Sequence, residues 1–286
     1  MGRTVPIAFA KFHGLANDFI VTNVRGLPRA VPSLARAICH RHTGVGADGL
    51  VVVHPPRIKP HDAWVQFFNA DGSEAEISGN GIRCAAAFLI ASGHSKHSLR
   101  IETAAGVKSL HLMKAEEGKW IFRVGMGTPT RDPRKIPFKA GKPARPIVAF
   151  PLPTQRGVVP VTVTSMGNPH CTVFVSDFAD LDWRAQGREI ECNLLFPNRT
   201  NVEFVKVISR KEIEVRFWER GVGETMSSGT GSCAAVVACV LNRRTGHQVR
   251  VVTPAGSLQV AWPAKGNVIL TGPVELVARG TYYYRA

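Results

Sequence analysis

Residues 69–84 read NADGSEAEISGNGIRC, and residues 219–233 read ERGVGETMSSGTGSC. At a constant offset of 150 positions Glu74 meets Glu224, Ser78 meets Ser228, Gly79 meets Gly229 and Gly81 meets Gly231, with no gap opened. The register extends outward: Phe67 and Phe68 match Phe217 and Trp218, and Thr103-Ala104-Ala105-Gly106 matches Thr253-Pro254-Ala255-Gly256. Two copies of one design are the simplest reading. Each copy ends a strand-like run, turns a glycine-rich corner and opens an apolar helix. A corner of that kind presents backbone N–H groups, which bind anions.

A length of 286 residues fits two domains of this kind. The expected division is residues 1–128, rejoined by a C-terminal strand at about 274–286, and residues 129–273. Hydrophobic residues make up 44% of the chain, as in globular proteins that fold in water. The longest wholly apolar run, Cys233 to Leu241, is too short to span a bilayer. The N-terminus has too short an apolar segment for a signal peptide, and Pro6 stands where a myristoylation signal needs Ser or Thr. These readings point to the cytoplasm and away from membranes.

The six cysteines, at 39, 84, 171, 192, 233 and 239, form no CxxC pair and read as buried thiols. Cys39-His40-Arg41-His42 reads as a helix end carrying cations, so no metal is expected. A net charge of +15 makes a polyanion a legitimate partner. The densest basic tract, Arg131 to Arg145, includes Arg134, Lys135, Lys139 and Lys142. It is broken by Pro133, Pro137 and Pro143 and holds one aromatic residue, Phe138. It lacks a stacking platform for single strands and reads as an extended connector, which sets nucleic acid aside.

Apolar alternation and turn residues give strands at Val5 to Phe9 and Asp18 to Thr22, then a helix introduced by Pro32 and Ser33, with Leu34, Ala37 and Ile38 on one face, ending near Gly44. Residues 44–49, GVGADG, match a dinucleotide fingerprint but follow a helix and precede a strand, the reverse of what that motif requires. Further strands are expected at 50–54, 63–68, 99–103, 106–113 and 119–124, with a helix from about Gly81 to Ser92. Its run CAAAFLIA is apolar all round, as a helix enclosed by strands must be. The second half repeats the order: strands at 158–164 and 171–176, a helix near Trp183 to Glu191, strands at 201–208 and 212–218, and a buried helix from about Thr230 to Arg244 closed by Gly246. Strands at 249–253, 256–262, 267–271 and 274–283 follow. The class is α+β, with two pseudosymmetric domains, each a barrel-like, mostly antiparallel sheet around a central apolar helix.

If the two corners face one another, a carboxylate between them would receive N–H bonds from Gly79, Asn80, Gly229 and Thr230 at the positive ends of two helix dipoles. Ser78 and Ser228, each just before its helix, would flank it. That is the geometry of two-base racemisation, in which one group removes an α-proton and another returns one from the opposite face.

The runs HGLAND (13–18), GVGADG (44–49), NADGSEAE (69–76), GNGIRC (79–84), GNPH (167–170), RTNVEF (199–204), ERGVGET (219–225) and GTGSCAA (229–235) together resemble the diaminopimelate epimerase family, and the resemblance covers nearly the whole chain. It implies a cofactor-independent isomerase, needing neither metal nor pyridoxal phosphate, that interconverts LL- and meso-diaminopimelate, typically as a homodimer. It assigns substrate recognition to Asn17, Asn69, Asn168, Asn201, Glu219 and Arg220, and a role beside the acid/base pair to His170 and Glu219. Arg220 also suits a bidentate contact with a carboxylate on its own chemistry. Two other readings compete: a histidine or hydroxyproline racemase of the same fold, which has no use for Arg220, and a non-catalytic polyanion-binding protein, whose binding would fall steeply with salt.

The chain departs from the family at its centre. The family's acid and base are two cysteines, and Ser78 and Ser228 stand in their positions. A thiol at a helix N-terminus ionises near neutral pH, whereas a serine hydroxyl has no comparable anionic population. Serine is also among the best helix N-caps. The pattern reads as a double Cys-to-Ser replacement in an otherwise competent scaffold, with proton transfer disabled.

Overall fold

The computed structural model describes residues 4–28, 30–139, 141, 146–179, 181–263 and 265–285. It forms two compact units, Met1–Val124 with Gly272–Ala286, and Gly125–Thr271. Lys142, Pro143 and Arg145 of the basic tract lie outside the described residues.

In the first unit the strands are β1 (Thr4–Gly14), β2 (Asn17–Asn23), β3 (Gly49–His54), β4 (Ala63–Asn69), the short β5 (Glu74–Ala75), β6 (Ser98–Thr103), β7 (Gly106–Glu116) and β8 (Lys119–Gly127). Pairing runs β1–β2–β3–β4–β6–β7–β8, and the C-terminal strand β17 (Val268–Arg285) pairs with both β8 and β1, closing a ring of eight strands. Most pairs are antiparallel. β2–β3 and β4–β6 are parallel, because the helices α1 (Val31–Cys39) and α2 (Gly79–Ala91) serve as their crossovers.

The second unit repeats the plan with β9 (Phe150–Thr154), β10 (Gly157–Ser165), β11 (Pro169–Val175), β12 (Asn201–Ser209), β13 (Glu212–Glu219), the short β14 (Gly223–Thr225), β15 (Gln248–Thr253) and β16 (Gly256–Ala261). Its parallel pairs are β11–β12, across α3 (Trp183–Glu191), and β13–β15, across α4 (Gly229–Leu241). The enclosed helices are α2 and α4. Residues Gly79 to Ala87 of α2 are all buried, and α4 is buried from Gly231 to Cys239, which explains why neither shows a polar face.

Both enclosed helices start earlier than apolar periodicity indicates. The Ser78 Oγ accepts from the Gly81 N–H at 3.0 Å and the Ser228 Oγ from the Gly231 N–H at 3.2 Å, so each serine is the cap and the glycine after it is already helical. They also end earlier. Gly93 (φ 96°) takes the left-handed position after α2, and its counterpart 150 positions on is Arg243 (φ 57°), not Gly246. The N–H groups of Arg243 and Arg244 bond back to the carbonyls of Val240 and Cys239, so these arginines lie beyond α4, while Gly246 donates to Arg210.

Other expectations are corrected too. Helix α1 stops at Cys39 and buries Leu34, Ala35, Ile38 and Cys39, with Ala37 only half buried. Gly44 lies in the loop beyond it, where a Cβ would come within 2.2 Å of the Ala37 carbonyl oxygen. The proline-rich segment is not a plain connector: Ile136, Phe138 and Ile147 enter the core of the second unit, and its end forms β9, where the sequence pattern predicts no strand. The two final strands are one, because Pro273 sits where the strand has left β16 and not yet met β1, so its missing N–H removes no bond from either.

Candidate active site

The candidate residues fall in two groups, one in each unit. In the first unit they surround the start of α2. Ser78 is half buried as its cap, and the N–H groups of Gly79 and Asn80 precede the first intrahelical hydrogen bond. Asn80 Nδ2 donates to Asn17 Oδ1 at 2.9 Å, and Asn17 Nδ2 donates to Asp48 Oδ2 at 2.8 Å. The buried Arg83 donates to Asn80 Oδ1 at 2.7 Å. Both ends of the Asn17 amide are therefore fixed. Asn69 does not join this chain; its Nδ2 donates to Ser73 Oγ in the tight turn after β4.

Asp48, the aspartate of GVGADG, carries no signal in the sequence that marks it as part of the site. It also receives Arg41, which bridges to Asp18, and Asp18 takes Lys11 at 2.9 Å. Burial alone would raise the Asp18 carboxyl, but hydrogen bonds from Arg41 and Lys11 outweigh it and hold the group below its ordinary range. Arg41, in the tract read as a cationic helix end, belongs to this ion network.

In the second unit the residues surround the start of α4. Ser228, which is buried, donates to Glu219 Oε2 at 3.1 Å, and Thr225 Oγ1 donates to Glu219 Oε1 at 2.7 Å. Gly229 and Thr230 supply the leading N–H groups of the helix. His170 is wholly buried on β11. Its Nδ1 lies 2.6 Å from Glu203 Oε1 and its Nε2 lies 2.8 Å from Asn168 Oδ1. Burial holds the Glu203 carboxyl above its ordinary range; contact with His170 offsets only part of this, and the charge on Glu219 adds a push upward.

Asn201 is buried and committed to the backbone: its Nδ2 donates to the Pro169 carbonyl, and its Oδ1 accepts the Arg220 N–H. It positions its neighbours. The exposed Arg220 donates Nη1 to the Asn198 carbonyl, and among the described residues no acidic side chain is paired with it.

Chemically, each group offers a capped helix start whose leading N–H donors lie outside the intrahelical ladder, which suits a carboxylate. Proton transfer needs a titratable group at the caps, and serine supplies none in the neutral range. Cys39, Cys84, Cys171, Cys192 and Cys239 do not stand in for it. Burial pushes the thiols of Cys39, Cys84 and Cys239 to about 12 and that of Cys171 well above its usual value, while Cys192 is exposed at the end of α3.

Among solved structures, a hydroxyproline epimerase from Agrobacterium vitis aligns with a TM-score of 0.72 at 13% identity, covering 100% of this chain and 95% of that one. A methylitaconate-delta-isomerase aligns at 0.66 and 15% identity, covering 99% and 96%. At such identity these show a shared fold, an α+β architecture. In sequence the chain is 46% identical over 281 residues to the diaminopimelate epimerase of Pelotomaculum thermopropionicum, covering 97% of this chain and 99% of that protein. It is 42% identical over 282 residues to that of Moorella thermoacetica, covering 96% and 98%. The diaminopimelate epimerase family model matches residues 9–131 and 162–277, a span that includes every candidate residue above, and the chain belongs to the diaminopimelate epimerase family.

Proposed function

We propose that this chain is a diaminopimelate epimerase scaffold, built to interconvert LL- and meso-2,6-diaminopimelate by proton transfer at one α-carbon, and that serine at both acid/base positions disables the chemistry while leaving the substrate site in place. The observation that carries the reading is the arrangement at α4: a cap residue whose hydroxyl is bonded to Glu219, at the head of a helix whose Gly229 and Thr230 N–H groups precede the intrahelical ladder. With a thiol there, Glu219 would accept or return the proton, and the helix terminus would favour the thiolate. With a hydroxyl, the same contact only orients the cap.

In this reading Ser78 and Ser228 hold the acid/base positions, with Glu219 and His170 beside them. Gly79 and Asn80 in the first unit, and Gly229 and Thr230 in the second, are the carboxylate-binding groups. Asn17, Asn168 and Arg220 bind the distal amino-acid end, with Asn69 and Asn201 supporting them. The working form is a homodimer in the cytoplasm, and sedimentation tests the former. The deciding experiment incubates the chain and its Ser78→Cys, Ser228→Cys double variant with LL-diaminopimelate in deuterated water. Binding without exchange in the first, and α-deuteration in the second, is expected. Binding by neither overturns the assignment.

A further inference from the structure

Because the two units are copies, each residue of one has a counterpart in the other, and the pairing registers identify it. Phe67 and Phe217 correspond at the 150-residue offset; Val51 pairs with Phe67 on β3–β4, and Glu203 pairs with Phe217 on β12–β13. Glu203 therefore occupies the place of Val51. One strand further, Val21 pairs with Val51 and Thr172 with Glu203, so His170 occupies the place of Phe19 and Asn168 that of Asn17.

Where the first copy buries phenylalanine and valine, the second buries an imidazole and a carboxylate in hydrogen-bond contact. The first copy shows that the fold is satisfied by apolar side chains there. A buried ionisable pair is a poor source of stability compared with such packing. Its position is specific: a Cβ on Gly231 would lie 3.0 Å from Glu203 Oε1, so the carboxyl is held against the first turn of α4, and its Oε2 has no hydrogen-bond partner among the described residues.

We propose that Glu203 is a positioning residue of this site: it engages Nδ1 of His170 so that Nε2 donates to Asn168 Oδ1, and this turns the NH₂ of Asn168 outward to bind a substrate carboxylate. The inference rests on the proposed substrate-binding role of Asn168. Donation from Nε2 follows from the oxygen it faces, since an amide oxygen only accepts. It requires Nδ1 either to carry a second hydrogen donated to a Glu203 carboxylate or to accept one from a Glu203 carboxylic acid. Either state fixes the ring, and a carboxyl group provides both. The first copy reaches the same end by other means, since Asn17 at the corresponding place has its oxygen held by Asn80.

The test uses the full chain and three variants. Glu203→Gln keeps a donor for Nδ1, Glu203→Val removes it, and His170→Phe with Glu203→Val reproduces the apolar pair of the first copy. In ligand-free protein, ¹⁵N spectra should show the Nε2-bound proton of His170 and a single protected Asn168 amide orientation in the parent and in Glu203→Gln, and lose both in Glu203→Val. Calorimetric affinity for diaminopimelate should fall roughly tenfold or more in Glu203→Val, as expected for one lost hydrogen bond, and stay within about threefold in Glu203→Gln. The double variant should melt within about 5 °C of the parent or above it. Unchanged spectra in Glu203→Val, equal losses in both single variants, or a double variant that fails to fold would each overturn the proposal. A parent that binds no diaminopimelate would count against the functional reading instead, and the spectra alone would then decide the role of Glu203.

Discussion

Ser228 gives its hydroxyl hydrogen to Glu219 across 3.1 Å while the same oxygen caps α4 through the Gly231 N–H. One side chain thus serves the helix and faces the carboxylate best placed to exchange a proton with it. Replacing serine by cysteine alters the second role far more than the first, because sulfur ionises where oxygen does not.

Glu219 should therefore matter only when a thiol is present. In the Ser78→Cys, Ser228→Cys background, Glu219→Gln is expected to lower kcat about 10²-fold or more while the substrate is still bound. In the serine chain the same change should leave proton exchange at background. Deuterium incorporation read by mass spectrometry measures both. Undiminished exchange in the cysteine background would remove Glu219 from the proton path.

Thiol chemistry offers a check that needs no substrate. With an aromatic disulfide reagent at pH 8, Cys192 should react promptly, while Cys39, Cys84, Cys171 and Cys239, buried with raised pKa values, should react only on unfolding. Ser78→Cys should add one promptly reacting thiol, because residue 78 is half buried at a helix start. A new thiol as slow as Cys84 would show that the helix terminus does not activate it.

The Asp18 network predicts a sign for the pH dependence of stability. A carboxyl held below its ordinary pKa in the folded state stabilises the fold above its unfolded value, and that contribution is lost as pH falls through the folded one. Asp18→Asn should thus cost about 1–3 kcal/mol at pH 7, and the difference from the parent should shrink below about pH 4. Urea titrations at pH 7 and pH 3 measure it. A difference that grows on acidification would contradict the ion network.

The caps themselves should be separable from the chemistry. Ser78→Ala and Ser228→Ala are each expected to cost about 1 kcal/mol, since each removes the acceptor for one N–H of its helix. Ser228→Ala should cost more, because it also strips a donor from Glu219 in a buried setting. Paired denaturant curves would reveal the ranking, and a neutral Ser228→Ala would contradict both contacts.

The repeat made the architecture legible: one offset, read from two glycine corners, located both enclosed helices and the strands feeding them. Alternation could not find Glu203. Asn201 to Val205 are all buried because α3 and α4 both pack on β12, so this strand has no solvent face against which a charged residue would stand out. Asp48 was hidden differently, among glycines whose spacing drew attention to a nucleotide motif. Arg243 shows a third limit: a left-handed position normally marked by glycine is held here by arginine, so the helix end was placed too late. Asn69 and Asn201 carried no local signal, and their side chains serve a turn and the backbone.

The strand β17, which begins in the second unit and ends in the first, governs what happens at the ribosome. Gly125–Thr271 is an uninterrupted stretch, whereas the other unit waits for Gly272–Ala286. Synthesis therefore inverts the order of completion: the unit begun first is finished after the other, with the edges of β1 and β8 left unzipped until β17 emerges. A nonsense mutation just after Thr271 would spare one unit whole and leave the other with two raw edges, a species destined for chaperones or for aggregation.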